Sequence, residues 1–299
     1  MEIGYLTLDV FTDEAFGGNP LGVVPDARGL STEQMQAIAR EFGYSESTFV
    51  LPPADPAHDA EVRIFTPARE LPFAGHPNVG TACALARLGS VHGKPVGEQL
   101  LFEERAGLVP VKLLRSGDRV DGAELTAPQE LSLGETLSAE AIADCTGLSP
   151  DDIVTERHEP TWGSVGLPFF IAEVRDREAL AKAAPKADIF AKHLPIAGSD
   201  DIFLYCRCPA DGVFDVRARM FAPLQGIEED PATGSANAAL TGLLASLEAD
   251  GTHRFTIAQG VEMGRPSRLD TTAVKSGGQV TEIRVGGNCV TMMRGTLHI

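Results

Sequence analysis

Glu46 stands between Ser45 and Ser47, at the mouth of the short apolar run Phe49-Val50-Leu51. Two readings are open: a solvated loop carboxylate, or a partly desolvated acid whose raised pKa suits it to carry protons near neutrality. His76, between Gly75 and Pro77, poses a similar choice between a hydrogen-bonded structural residue and a functional one. Pro77 suits the first position of a helix and puts His76 near its N-cap. There the positive helix end would lower the imidazole pKa and keep the ring neutral. Further on, Thr233-Gly234-Ser235 runs into the small and apolar residues 236–247. A helix with almost no polar face must be buried. Its first turn then carries unpaired backbone N–H groups inside, open to an anion or to a carbonyl oxygen acquiring charge. Asn19, in Gly17-Gly18-Asn19-Pro20, lies in a predicted hairpin turn whose N–H groups can also receive a carboxylate.

The elements that must position these groups occur twice. Phe65, Pro67 and Ala82 match Phe221, Pro223 and Ala238 at one offset, 156, from 221−65, 223−67 and 238−82. Strand, turn and helix recur in the same order, which predicts two copies of one unit, each presenting the start of a buried helix. Around them, alternation predicts a strand over 3–11, and a capping box at Ser31-Thr-Glu-Gln34 predicts a helix with Met35, Ile38, Ala39 and Phe42 on one face, ending at Gly43. Further strands are expected over 61–66, 107–114, 120–125, 165–175, 202–208, 213–221, 253–259, 279–285 and 289–294, with short helices over 137–145 and 175–184. Residues 91–97 read as loop, and 127–133 as the connection between halves. Along 213–221, Asp215, Arg217 and Arg219 alternate with apolar residues, which predicts a polar face toward solvent or a neighbouring chain.

Composition narrows the classes of function. With 299 residues, 43% of them hydrophobic, the chain can bury two cores. A net charge of −17 argues against a phosphate-backbone partner, which needs a basic stripe, so no nucleic acid is expected. The first ten residues lack a basic region and cleavage site, and no apolar run reaches the roughly 18 residues of a membrane span. A cytoplasmic protein off the membrane is the expectation. Five cysteines and seven histidines show no metal-type spacing, so no metal is expected. Cys206 and Cys208 share one face of a strand and read as a buried thiol pair.

Taken together, several phrases resemble the PhzF-like family of phenazine biosynthesis, which shares the diaminopimelate epimerase fold. They are Asp9-Val-Phe with Gly18-Asn19-Pro20, Ser45-Glu46-Ser47, Phe73-Ala74-Gly75-His76-Pro77, Glu229-Asp230-Pro231-Ala232-Thr233-Gly234-Ser235-Ala236 and Gly264-Arg265-Pro266-Ser267. They span nearly the whole chain in order. The resemblance implies an α+β fold of two pseudo-symmetric strand-rich barrel domains, each around one buried central helix, with the active site in the cleft between them. The halves are expected over 1–126, completed by the C-terminal strand 289–299, and over 127–288. It implies cofactor-independent isomerisation of a small carboxylated metabolite by a homodimer. In the characterised family member the substrate is trans-2,3-dihydro-3-hydroxyanthranilate, and a glutamate moves a proton between ring carbons. That glutamate maps onto Glu46, and the family's site histidine, aspartate and serine onto His76, Asp230 and Ser235. Asn19, Gly75, Asn78, Thr233 and Gly234 stand beside them as substrate-binding candidates. Related epimerases of this fold use two opposed cysteines, which neither helix start has here; Cys83 lies too deep in its helix for that role. Single-base proton relocation is therefore favoured over two-base racemisation. The competing expectation is a catalytically idle homologue that binds small molecules or proteins. Arg265 is either a surface charge or a carboxylate clamp.

Overall fold

The structure, a computed structural model, describes residues 1–208 and 212–299. They group into two compact units, Met1–Pro128 with Val285–Ile299, and Gln129–Arg284.

In the first unit, strands Glu2–Val10 and Asn19–Val24 form a hairpin with Val10 opposite Asn19. Its turn needs Gly18 at φ 60°, because a Cβ there would run into the Val10 carbonyl oxygen. Helix Thr32–Phe42 opens on the expected capping box and closes on Gly43 in the left-handed region. The chain returns as Glu46–Leu51, parallel to Asn19–Val24, and then as Ala60–Phe65, antiparallel to it. Gln99–Glu104 lies parallel to Ala60–Phe65, and Gly107–Ser116 and Arg119–Thr126 follow as antiparallel neighbours. The last strand, Gln279–His298, pairs with both Arg119–Thr126 and Glu2–Val10, which closes eight strands into a barrel. Helix Gly75–Leu88 fills the barrel and is buried from Gly75 through Leu85. It lies close enough that a Cβ on Gly80 would come within 2.5 Å of Leu21 and 2.7 Å of Val10. Burying Val79 and Leu85 completely contributes about 1.5–3 kcal/mol each.

In the second unit the order is Ser132–Thr136, Thr161–Ser164, Pro168–Val174, Ile202–Arg207, Val216–Ala222, Gly251–Gln259 and Ser267–Ser276, the last pairing with the start of Gln279–His298. Helix Gly234–Ser246 packs against Thr161–Ser164 and Pro168–Val174 at one end of this series and against Ser267–Ser276 at the other. The sheet therefore curls around it. Helices Ala139–Thr146, Arg177–Lys182 and Ala187–His193 add an outer layer, sealing a core of Ile142, Phe170, Leu180, Phe190, Leu204 and Phe221.

Several expectations change. The strand expected over 213–221 is Val216–Ala222, and the polar face expected along it is only partly in solvent: Asp215, ahead of the strand, is exposed, Arg217 half-buried and Arg219 buried. Arg219 is 7% exposed; it grips Glu229 with two nitrogens and donates to the Leu180 and Ala183 carbonyls at the end of helix Arg177–Lys182. Arg217 pairs with Glu262. The desolvated Arg219 guanidinium is tolerated because its donors are used within the unit. Residues 91–97 hold a small hairpin, Ser90–Val91 with Lys94–Pro95. Strands Gln99–Glu104 and Ser267–Ser276 and helix Ala187–His193 were not foreseen. The strands expected over 279–285 and 289–294 are one, continuous through Gly286-Gly287-Asn288. The offset also needs correction. It is 156 at the strand phenylalanines, Phe65 and Phe221, but 159 at the helix starts, Gly75 and Gly234, because the stretch between phenylalanine and helix is three residues longer in the second unit (234−221 = 13 against 75−65 = 10). Ala82 and Ala238 are thus not counterparts.

Among the described residues, no helix is long and apolar enough to cross a membrane, and no group of three or more His, Cys, Asp and Glu side chains could hold a metal ion. All five cysteines are buried free thiols.

Candidate active site

Each unit carries its own helix start. In the first, Glu46 opens strand Glu46–Leu51 and faces His76, Oε2 lying 3.5 Å from Nε2. His76 is the second residue of helix Gly75–Leu88, not its N-cap: Ala74 takes the cap position in an extended conformation, and Pro77 is the third helical residue. Burial alone drives the imidazole pKa down to about 3, so the ring is neutral. The contact with Glu46 is therefore not an ion pair. Asn19 sets the tautomer, on the hydrogen-bond network. Its Oδ1 accepts from the Ser45 hydroxyl at 3.4 Å, which turns its Nδ2 to His76 Nδ1 at 3.2 Å. Nδ1 must then accept, leaving the ring proton on Nε2, toward the carboxylate. The helix start has neither a side-chain cap nor an acid in its first turn. Asn78 is fully buried and turned back, its Nδ2 donating to the Ala74 carbonyl at 2.9 Å.

In the second unit, Thr233 caps helix Gly234–Ser246 by position but without a side-chain cap bond, and again no acid stands in the first turn. Its hydroxyl donates instead to Asp230 Oδ2 at 2.6 Å. Asp230 and Ser235 are 4% and 2% exposed. Behind them Gln259, wholly buried, uses both ends of its amide. Oε1 accepts from the Thr233 N–H at 3.0 Å and from Asn237 Nδ2 at 2.7 Å; Nε2 donates to the Asp230 carbonyl at 2.8 Å and to the Thr233 hydroxyl at 3.0 Å. Asn237 Nδ2 also donates to the Thr233 carbonyl at 2.9 Å, repeating the Asn78–Ala74 bond at the offset of 159. The turn carrying Arg265 is tied down here, since the Ser267 hydroxyl donates to the carbonyls of Pro231 and Arg265.

The first unit thus assembles Asn19, Glu46, Gly75, His76 and Asn78, and the second Asp230, Thr233, Gly234 and Ser235. Ser45, Asn237 and Gln259 escaped the reading of the sequence. An asparagine four residues after each cap position was visible at the right offset; nothing near Gln259 in sequence pointed to it.

The arrangement offers an acid facing a neutral N–H donor, and open backbone amides that favour negative charge. Comparison with known proteins gives this chemistry its family. The PhzC-PhzF family model, described as phenazine biosynthesis-like protein, matches residues 8–295. An uncharacterized isomerase of Mesorhizobium japonicum is 40% identical, the match covering 99% of this chain and 98% of that protein. The trans-2,3-dihydro-3-hydroxyanthranilate isomerase of Pseudomonas chlororaphis is 38% identical over 98% of each. Among solved structures, the Bacillus anthracis phenazine biosynthesis protein of the PhzF family matches with a TM-score of 0.87 at 26% identity, over 100% of both chains. A hydroxyproline epimerase from Agrobacterium vitis shares the fold, with a TM-score of 0.66 at 16% identity over 99% of this chain and 91% of its own. Agreement along essentially the full length, in sequence and in fold alike, leaves this chain a member of the PhzC-PhzF family, and an isomerase.

Proposed function

We propose that the chain is a cofactor-independent isomerase that relocates a proton on a small carboxylated, cyclic unsaturated substrate, with Glu46 as its single acid/base. The observation that carries this reading is Glu46 Oε2 facing the Nε2–H of a neutral, buried His76. The carboxylate takes a proton from one substrate carbon, becomes the acid, and returns that proton to another carbon, so charge and protons balance over the cycle. An imidazole whose conjugate acid has a pKa of about 3 cannot compete for that proton at neutral pH. It stays a hydrogen-bond donor, suited to holding Glu46 in place or stabilising charge that develops on the conjugated system. The uncapped amides at Gly75 and Gly234 favour a substrate carboxylate or a developing anion. In this reading Asp230 and Ser235 serve the same substrate, Asp230 oriented by Thr233 and the Gln259 network.

The test is a panel of small unsaturated carboxylates in heavy water, trans-2,3-dihydro-3-hydroxyanthranilate first, followed for double-bond migration and for loss or gain of deuterium. Wild type is expected to turn over at least one member, and Glu46→Gln to bind it with unchanged affinity while losing turnover. Wild-type turnover by Glu46→Gln would sink the assignment and move the search for the base to Asp230. A chain that binds a panel member yet exchanges nothing would be the idle homologue.

A further inference from the structure

The two buried helices begin on the same scaffold with one chemical difference. At the offset of 159, Ala74, Gly75, His76 and Asn78 correspond to Thr233, Gly234, Ser235 and Asn237, and Leu71 corresponds to Asp230. In the second unit Gln259, last residue of its strand, accepts from Asn237 and donates to the Asp230 carbonyl. Gln259 can do both because one end of an amide accepts and the other donates. In the first unit the strand that ends behind the helix start is Gln99–Glu104, and its last residue is a glutamate. The strands correspond: Gln99–Glu104 runs parallel to Ala60–Phe65 as Gly251–Gln259 runs parallel to Val216–Ala222. The Asn78 amide is the polar group beside the Glu104 carboxyl. Both Glu104 oxygens and Asn78 Oδ1 are buried, and none of the three makes a well-formed hydrogen bond among the described residues.

We propose that Glu104 is held as a neutral carboxylic acid and positions the His76 turn through Asn78, its carbonyl oxygen and O–H standing in for the two ends of the Gln259 amide. An ionised Glu104 is acceptor-only and would leave the donating half of the pattern empty. A buried charge with no cation against it is also costly. Burial pushes the acid well above the ordinary carboxylate range, and the Asn78 amide offsets part of that.

The charged groups around Glu104 are already engaged with one another. A cavity of about 270 Å³ beside it is lined by Glu61, Arg63, Glu70, Glu103 and Arg105. Arg63 and Arg105 both bind Glu70. Glu103, the adjacent strand residue, accepts from the Ala54 and Asp55 N–H groups and contacts His58, which hold it down at about 2. On the helix side the titratable group is His76, neutral at ordinary pH. Glu104 is a positioning residue, acting on the His76 turn without touching substrate. The proposal rests on the reading above only for the importance of that turn.

The test needs no substrate. In ¹³C-glutamate-labelled protein, the Glu104 carboxyl resonance is expected to be that of the acid form at pH 7 and to titrate above neutrality. Backbone amide resonances of Gly75 and His76 should move with the same midpoint, which a merely space-filling residue would not cause. A raised folded-state pKa gives stability that is complete below the unfolded value and is lost as pH rises toward the folded one. Relative to Glu104→Gln, the wild-type melting temperature should therefore fall by about 2–4 °C per pH unit above pH 5 until Glu104 ionises. Glu104→Gln should fold and keep the Gly75 and His76 resonances near their neutral-pH positions, while Glu104→Ala displaces them. A carboxylate resonance at pH 7, a pH-independent difference in melting temperature, or a Glu104→Gln protein as perturbed as Glu104→Ala would each overturn the proposal.

Discussion

At the scale of single residues, the proposed chemistry depends on keeping two adjacent titratable groups in opposite roles. Glu46 must gain and lose a proton, whereas His76 must never hold a second one. Shortening the acid is as informative as neutralising it. Glu46→Asp moves the carboxyl back by one methylene, and a misplacement of about 1 Å can cost a hundredfold in rate, so kcat should fall by about that factor while binding persists. His76 has a signature that needs no assay. Its folded-state pKa, about 3, lies below the ordinary value of 6.5, so burying the neutral ring stabilises the fold fully above pH 6.5 and progressively less as pH falls toward 3. Between pH 7 and pH 4 the wild type should lose about 3 kcal/mol more stability than His76→Asn, measured by urea unfolding at each pH. Equal losses in the two proteins would mean that His76 already carries charge in the folded state. Glu46 and His76 were legible in the sequence because each stands at the start of an element, between residues with little bulk. The tautomer was not legible. It depends on Asn19 and Ser45, which reach the ring from a different turn.

At the scale of elements, what secures the turn before helix Gly234–Ser246 is the side chain arriving from the neighbouring strand. Gln259 uses both ends of its amide in the second unit, and Asn237 bridges it to the Thr233 carbonyl. Removing either leaves buried partners unsatisfied at about 1–3 kcal/mol. Gln259→Ala and Asn237→Ala should each lower stability by roughly that amount, and the double variant by clearly less than the sum, because the two share a bond. Additive losses in urea denaturation would argue that the network is not a unit. Capping boxes and glycine stops are local, so helix Thr32–Phe42 could be read from its own residues. Strand pairing is not local. Gln99–Glu104 and Ser267–Ser276 have no clean alternation, and only their partners make them strands. The arginines of Val216–Ala222 misled for the same reason: alternation reveals a polar face but not the carbonyls of Leu180 and Ala183 that cover it.

At the scale of the whole molecule, the repeat was legible as an order of elements, while its register was blurred by the longer second linker and by alanine-rich helices that align at more than one offset. A homodimer was expected from the family resemblance and from the polar strand face, whose arginines prove to be engaged within their own unit. The resemblance now carries that expectation by itself. Sedimentation at micromolar concentration should show a species of twice the 31.7 kDa chain mass, and a monomer alone would refute it.

The final strand gives this fold an unusual timetable. Glu2 pairs with His298, and Ile299 donates to the Met1 carbonyl, so the barrel opened by the first of these strands is closed by a strand nearly 300 residues further on. During synthesis the second unit, which is continuous in sequence, can gather its strands while the first still lacks the one that seals it. Closing the first barrel joins positions almost the whole chain apart, a slow step because loop entropy must be overcome before any contact rewards it. Until Gln279–His298 arrives, the edges of Glu2–Val10 and Arg119–Thr126 stand open on a nascent chain, ready to pair with any other extended segment. Loss of a few C-terminal residues would thus strike hardest at the unit that holds Glu46 and His76, hundreds of residues from the break.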